Sequence, residues 1–498
     1  MATSTQVQTG GFSPDELKPP IGSFLGGQYV PGDGTEYEVI RPSDGHVIRV
    51  ERGASANLVD RAVTAAAKAF KTSGWAGLPP RARAKVLFRW ADLLEQNLEE
   101  LARLESLASC RLINETRHFD IGFAAETIRF FAEAIDKLDG QVLASEEKVI
   151  SMHVHEPYGV VAAISPWNVP LVLAILKVGP ALAAGNAVVL KPSELTPYSI
   201  LRAAELAHQA GVPAGQLAVL PGLGPETGSA LVKHPLVNYV SFTGSTLTGK
   251  QIMIDAANTG LKPVCLELGG KSPQLVFRDA PSLDRVADMV AGSICFNAGQ
   301  VCFAGTRLVV DKKISEELTE KIAQRLKNPK SGPTWDTQTT LAPIISEKQG
   351  ARIAGILRDA EKTGAEIVMG GEREATGNGG VFFKPTILRN TKPENAAIIN
   401  EVFGPVLAVQ SFSDIEEGIA LADHPIYGLA GAVHTSDINK ALLAAKSIPA
   451  GTVWVNTYAE LSLNAPFGGY KQSGFGRDYG MAGLAKYMNT KTICIRLN

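Results

Sequence analysis

Between residues 58 and 138 the apolar positions recur at three and four residue steps: Val59, Ala62, Val63, Ala66, then Val86, Leu87, Trp90, Leu93, Leu94. That spacing predicts amphipathic helices. From Tyr158 the rhythm changes to short β-branched runs at 160–164, 187–190, 217–220 and 239–242, separated by helix-length segments such as 171–184 and 199–210. Apolar runs alternating with helices predict βαβ units on a buried parallel sheet. A second series follows Gly270, with runs at 274–277, 307–310, 366–369, 406–410 and 452–456, and predicts a second α/β domain. Two stretches alternate strictly instead: Ile150, Met152 and Val154 against Ser151, His153 and His155, and Ile493, Ile495 and Leu497 against Thr492, Cys494 and Arg496. Each predicts a half-buried antiparallel strand.

Composition adds bounds to this outline. A length of 498 residues suggests two to four domains, and 45% hydrophobic with 20% charged residues suits a soluble globular protein. A net charge of −2 gives no electrostatic reason for nucleic acid or a membrane as partner. Residues 1–15 are Ser/Thr/Gln/Gly-rich and lack the basic and apolar regions of a signal peptide, which predicts a disordered tail. The longest apolar stretch, 159–190, is broken by Pro166, Pro170, Lys177, Pro180, Gly185 and Asn186 and is no membrane span. Cys110, Cys265, Cys295, Cys302 and Cys494 lie at scattered spacings, which predicts reduced thiols and a cytoplasmic location. The sequon Asn114-Glu115-Thr116 is then a chance occurrence.

Candidate chemistry centres on Phe296-Asn297-Ala298-Gly299-Gln300-Val301-Cys302-Phe303-Ala304-Gly305, where a cysteine sits in a Gly-bounded turn after an apolar helical run. A thiol there can face a pocket and be held as thiolate by backbone N–H groups; a packed structural cysteine is the alternative. Thirty-five residues upstream, Leu266-Glu267-Leu268-Gly269-Gly270-Lys271 supplies a carboxylate between apolar neighbours. Asn168 is pinned between Pro166 and Pro170, either as an amide donor or as a turn residue bonded to its own backbone. The run 239–242 enters Thr243-Gly244-Ser245-Thr246, a Gly-containing turn at a helix N-terminus and hence an anion site. It lacks the middle glycine of the dinucleotide fingerprint, and Gly222-Leu223-Gly224-Pro225-Glu226-Thr227-Gly228 matches that fingerprint poorly too. Lys191 and Glu194 stand at a strand end, where doubly wound sheets bind ligands, or form a solvated pair. His153, His155 and Glu156 lack a further ligand, and Cys295 and Cys302 lack companions, so no metal site is expected.

Taken together, these segments resemble the aldehyde dehydrogenase superfamily over roughly residues 20–498, in its NAD(P)-dependent, hydrolytic, non-acylating branch. The resemblance implies a variant Rossmann dinucleotide-binding domain (1–138 and 158–269), a second α/β catalytic domain (270–470) and a small antiparallel β bridging arm (139–157 and 471–498). By similarity, Cys302 attacks the aldehyde, Asn168 holds the oxyanion, Glu267 activates water, and Lys177 joins the catalytic set. The cofactor would be held by Ile164, Ser165 and Trp167, by Lys191, Ser193 and Glu194, by Gly224, Gly228, Phe242, Gly244 and Ser245, and by Leu268, Glu401 and Phe403. Lys191 and Glu194 would take the ribose hydroxyls and Ser245 the pyrophosphate. Because a carboxylate repels a 2′-phosphate, NAD is expected over NADP.

The positions matching the family's substrate channel are Phe123, Val169, Val172 and Leu176, followed by Val301, Phe303, Leu461 and Phe467. None is charged, so the expected partner is an apolar aliphatic or aromatic aldehyde. The arm implies a homodimer or homotetramer. Asp478 departs from the family, where many members carry a glutamate in a proton relay, and puts that relay in doubt. Two rival readings are a dehydrogenase that passes the acyl group to coenzyme A, which Glu267 argues against, and a catalytically silent homologue, which Cys302, Glu267 and Asn168 together argue against.

Overall fold

The computed structural model describes residues 10–377 and 379–498. The helical pattern resolves into Ala56–Thr72, Pro80–Gln96, Leu98–Ala108 and Ile121–Ala134. Ser55 opens the first, its hydroxyl accepting the N–H groups of Asn57 and Leu58, while a proline at the first position opens the second. The stripe Leu87, Trp90, Ala91 and Leu94 is fully buried. It packs against the helices Ile121–Ala134 and Tyr198–Ala210, where Trp90 donates its indole N–H to the Ala203 carbonyl at 2.9 Å.

The βαβ series builds an eight-stranded sheet. Its five central strands run Leu217–Val219, Ala187–Lys191, Val160–Ile164, Tyr239–Thr243, Val264–Glu267, all parallel. The earliest of these, Val160–Ile164, lies in the middle, so the order reverses beside it. Crevices for ligands open at the carboxyl ends of strands at such a reversal. The second series forms a seven-stranded sheet in the order Glu366–Met369, Thr386–Arg389, Val406–Phe412, Arg307–Asp311, Pro273–Val276, Ala430–His434, Thr452–Val455. Only its first pair is antiparallel. The chain crosses from one sheet to the other between Glu267 and Pro273, so the carboxyl edge of the first meets the amino edge of the second there.

The two alternating stretches pair with each other. Val149–Pro157 and Met488–Arg496 form a nine-residue antiparallel ladder, with Gln141–Leu143 added to the other side of Val149–Pro157. Among the strands not anticipated from sequence are Val264–Glu267, Thr386–Arg389 and Ala430–His434. Each is short, and each carries residues of weak strand preference, so its apolar run hardly rises above its surroundings. The short strand Gly474–Phe475, within the stretch expected to belong to the arm, pairs with Val264–Glu267 in the first sheet. Of the tail expected over 1–15, residues 1–9 lie outside the described residues. From Gly10 onward the chain is held: Arg117 donates to the Gly10 carbonyl at 2.7 Å, Phe12 is buried, and Asp15 meets Arg41 at 2.6 Å.

Candidate active site

Cys302 follows a turn that the backbone adopts at a cost. Asn297, Ala298 and Gly299 have φ of 49°, 51° and 70°, and each non-glycine residue in that region costs roughly 1–2 kcal/mol. Buried amides hold it in place. Gln300 donates to the carbonyls of Asn297 and Pro343, both at 3.0 Å, and accepts the Ile345 N–H at 3.0 Å. Asn297 donates to the Asn168 carbonyl at 2.9 Å, and the Asn168 side chain donates to the Gln300 carbonyl at 3.1 Å. An amide has two N–H donors, so one of those on Asn168 fixes the turn and the other is left for a ligand. Neither Asn297 nor Gln300 was singled out from sequence; their role is visible only once residues 168, 297 and 345 lie side by side.

The thiol of Cys302 is pushed up to about 12, chiefly by burial and then by Glu401 and Glu267, with the N–H groups of Phe303 and Cys302 pulling the other way. The two backbone N–H groups favour the thiolate, while desolvation and the two carboxyl groups oppose it. Cys295 is pushed up to about 11 by burial.

Glu267 ends its strand inside the protein, and neither carboxylate oxygen has a hydrogen-bond partner among the described residues. Burial, then repulsion from Asp478, raises it well above the usual carboxylate range; Lys486, Lys177 and Arg477 oppose that rise. A Cβ built on Gly468 would stand 2.7 Å from its Oε1, so only glycine leaves the carboxylate room. Lys177 is 1% exposed, reaches Ser241 Oγ at 3.4 Å, and is lowered by burial.

The carboxyl ends of the first sheet bring together most residues matched to the cofactor. Ile164, Ser165 and Trp167 lie at the end of one strand, and Phe242 with Gly244 and Lys191 with Ser193 at the ends of its two neighbours. Ser165 Oγ and Thr243 Oγ1 are buried there without partners among the described residues, as expected of a surface shaped for a polar ligand. Lys191 is buried and lowered by burial, and its Nζ lies 3.3 Å from half-buried Glu194. Ser245 caps the helix Thr246–Asn258, accepting the Thr248 N–H at 3.2 Å, so the hydroxyl expected to meet a pyrophosphate also orders the helix N-terminus. Gly228 is buried against the Lys191 stem, whereas Gly224 is exposed. Leu268 is buried next to Glu267.

Glu401 reaches the same area from the second sheet. Its Oε1 accepts the Gly270 N–H at 3.0 Å, and burial pushes it up to about 7. A Cβ on Gly269 would stand 2.4 Å from its Oε2. Phe403 packs edge-on to Trp167, ring centres 5.3 Å apart.

Flanking Cys302, Val301 and Phe303 line a cavity of about 440 Å³ together with Phe123, Val169, Val172 and Leu461. Two residues matched to the channel do not line it. Leu176, one helical turn beyond Val172, points into the core at 3% exposure, and Phe467 lies behind Phe303, ring centres 5.8 Å apart. Tyr458, Tyr479, Phe296 and Phe119 also line it. Of these, Phe119 was legible: it stands four residues before Phe123 and stacks on it at 5.1 Å. No Asp, Glu, Lys or Arg is in the lining.

A sequence model described as the aldehyde dehydrogenase family matches residues 29–493. The chain is 40% identical over 478 residues to an aldehyde dehydrogenase of Agaricus bisporus, covering 96% of this chain and 95% of that one. It is 41% identical over 476 residues to the NADP/NAD-dependent aldehyde dehydrogenase PuuC of Escherichia coli strain K12, covering 95% of each. The solved structure of the P. syringae indole-3-acetaldehyde dehydrogenase AldA, with NAD+, superposes with a TM-score of 0.95 at 41% identity, covering 97% of this chain and 98% of that one. With the family's sequence pattern matched over nearly its whole length and its fold reproduced, the chain belongs to the aldehyde dehydrogenase family.

Proposed function

We propose that this NAD-dependent aldehyde dehydrogenase converts an apolar, uncharged aldehyde to its carboxylic acid through a thiohemiacetal and then a thioester on Cys302. One observation carries the reading: half-buried Cys302, flanked by residues of an uncharged cavity, lies within electrostatic reach of an unpartnered carboxylate at a strand end.

As the S–C bond forms, the thiol proton passes to Glu267, the aldehyde carbonyl becomes an oxyanion, and the free N–H of Asn168 with the N–H of Cys302 takes up that charge. The unpartnered hydroxyls of Ser165 and Thr243, with Lys191, Glu194, Glu401 and Phe403, fit NAD, which when bound supplies the hydride acceptor. Glu267, free of its proton again, then takes one from water as the water oxygen bonds to the thioester carbon; the C–S bond breaks and the acid leaves. A carboxyl raised by burial suits this, because its proton affinity then approaches that of the working pH.

We assign cofactor binding to 1–138 with 158–269, catalysis to 270–470, and bridging to 139–157 with 471–498, with Gly474–Phe475 contributing to the first sheet. The nine-residue outer strand Met488–Arg496 has one edge without a partner strand among the described residues and carries exposed Ile493 and Ile495, which supports pairing with a second copy, in a dimer or tetramer. The five free cysteines support a reducing, cytoplasmic setting. Among the described residues no helix is long and apolar enough to cross a membrane.

A rate screen of hexanal, benzaldehyde, succinic semialdehyde and betaine aldehyde, each with NAD and NADP, tests the reading. Hexanal or benzaldehyde with NAD should give the highest kcat/KM, since a charge buried unpaired in this cavity costs several kcal/mol. Preference for either charged aldehyde contradicts the substrate assignment. Equal use of NADP contradicts the role of Glu194.

A further inference from the structure

Asp478 and Lys486 form an ion pair sunk in the protein, with side chains 4% and 8% exposed, and the scheme above leaves both unused. Lys486 Nζ also lies 3.6 Å from Cys265 Sγ, two residues before Glu267 on the same strand, and 5.0 Å from the Tyr487 ring centre. The Tyr487 hydroxyl stands 3.0 Å from Ser241 Oγ, which Lys177 reaches from another direction. Asp478 is fixed through its backbone as well: Phe467 donates to its carbonyl at 2.8 Å and accepts its N–H at 2.7 Å, one residue before the glycine that abuts Glu267.

The charges facing Glu267 are therefore few. Asp478 repels it, while Lys486, Lys177 and Arg477 attract it; the neutral Cys265, Cys302 and Tyr479 complete the set, and Tyr487 and Tyr239 face Lys486. Burial alone would push Asp478 up, yet Lys486 and then Lys177 outweigh it and hold the carboxyl below its ordinary value. Asp478 is thus a fixed anion near a second buried carboxylate, and Lys486 is foremost among the cations that limit the repulsion.

We propose that Lys486 is a positioning residue for thioester hydrolysis: by neutralising Asp478 in the cluster beside Glu267, it leaves Glu267 able to ionise and act as base. The proposal rests on the reading of Glu267 as that base. It concerns this chain's own pairing of a short Asp478 carboxylate with a lysine eight residues on.

Acetylating Cys302 with p-nitrophenyl acetate, without NAD, isolates the hydrolytic step. Loss of the acetyl group is then followed by intact mass across pH. In the parent the rate rises with pH as Glu267 ionises. Lys486→Met moves that rise upward by about one pH unit, so that below it hydrolysis slows about tenfold, one unit being a factor of ten in the ionised fraction. Lys486→Arg keeps the parent midpoint, and Lys486→Met with Asp478→Asn returns close to it. A purely structural role lowers the rate at every pH without moving the midpoint, and an unmoved midpoint in Lys486→Met overturns the proposal. Should that variant fail to fold, Asp478→Asn should titrate at lower pH than the double variant, and equal midpoints overturn the proposal. Glu267→Gln separates the two layers: if it deacetylates like the parent at all pH values, the base assignment fails, whatever Lys486 does.

Discussion

Glu267 is an acid whose ionisation the surrounding fold opposes, and that has a stability consequence. Its folded value is raised above its unfolded value, so the penalty is absent below the ordinary carboxylate range and grows as pH rises toward the folded value. Glu267→Gln should therefore raise the Tm more at about pH 8 than at about pH 5. Thermal scans at the two pH values check this; an equal gain at both contradicts burial as the cause. Asn168 makes a different point, because its amide serves both the turn and the proposed oxyanion. Asn168→Ala should lower kcat by about two to three orders of magnitude, the usual loss for one oxyanion donor. A loss under about tenfold contradicts that role. Cys302, Glu267 and Asn168 stood out as candidates in sequence, since each sits in a distinctive local frame of glycines or prolines. Gln300, Tyr458 and Tyr479 did not: their importance depends on partners 45, 155 and 356 positions away, and nothing in their immediate neighbours marks it.

At the level of elements, the apolar runs of the two buried sheets stood out because strands covered on both faces need continuous hydrophobicity. Strands such as Ala430–His434, poor in large side chains, did not. The arm was legible for the opposite reason, its strict alternation. In the structure both faces of Met488–Arg496 are largely exposed, with Ile493 at 38% and Ile495 at 43%. An outer strand nine residues long with exposed isoleucines is an open template for pairing. Ile493→Lys with Ile495→Lys should shift the protein to a smaller species without unfolding it, as read by size exclusion with light scattering and circular dichroism. An unchanged mass contradicts the arm as the association surface.

For the molecule as a whole, the crossing from the first sheet to the second between Glu267 and Pro273 explains why the chemistry lies where it does. The carboxyl edge of one sheet offers the proposed cofactor residues, the turn before Arg307 in the other offers Cys302, and the proposed base Glu267 stands where they meet. Sequence placed these residues in two domains; only the sheet orders bring them to one place. The substrate cavity was less legible, because its walls come from three helices and from loops around 458 and 479 whose direction no periodicity fixes. Hence Leu176 and Phe467, apolar and near in sequence to lining residues, sit behind the wall. Hydrolysis of a thioester by Glu267 is the central step of the proposed reaction, and one single-turnover experiment reaches it. Glu267→Gln mixed with NAD and hexanal should release one equivalent of NADH per active site and then stall, with mass spectrometry finding an acyl group on Cys302. Sustained turnover at the parent rate, or neither a burst nor an adduct, would contradict it.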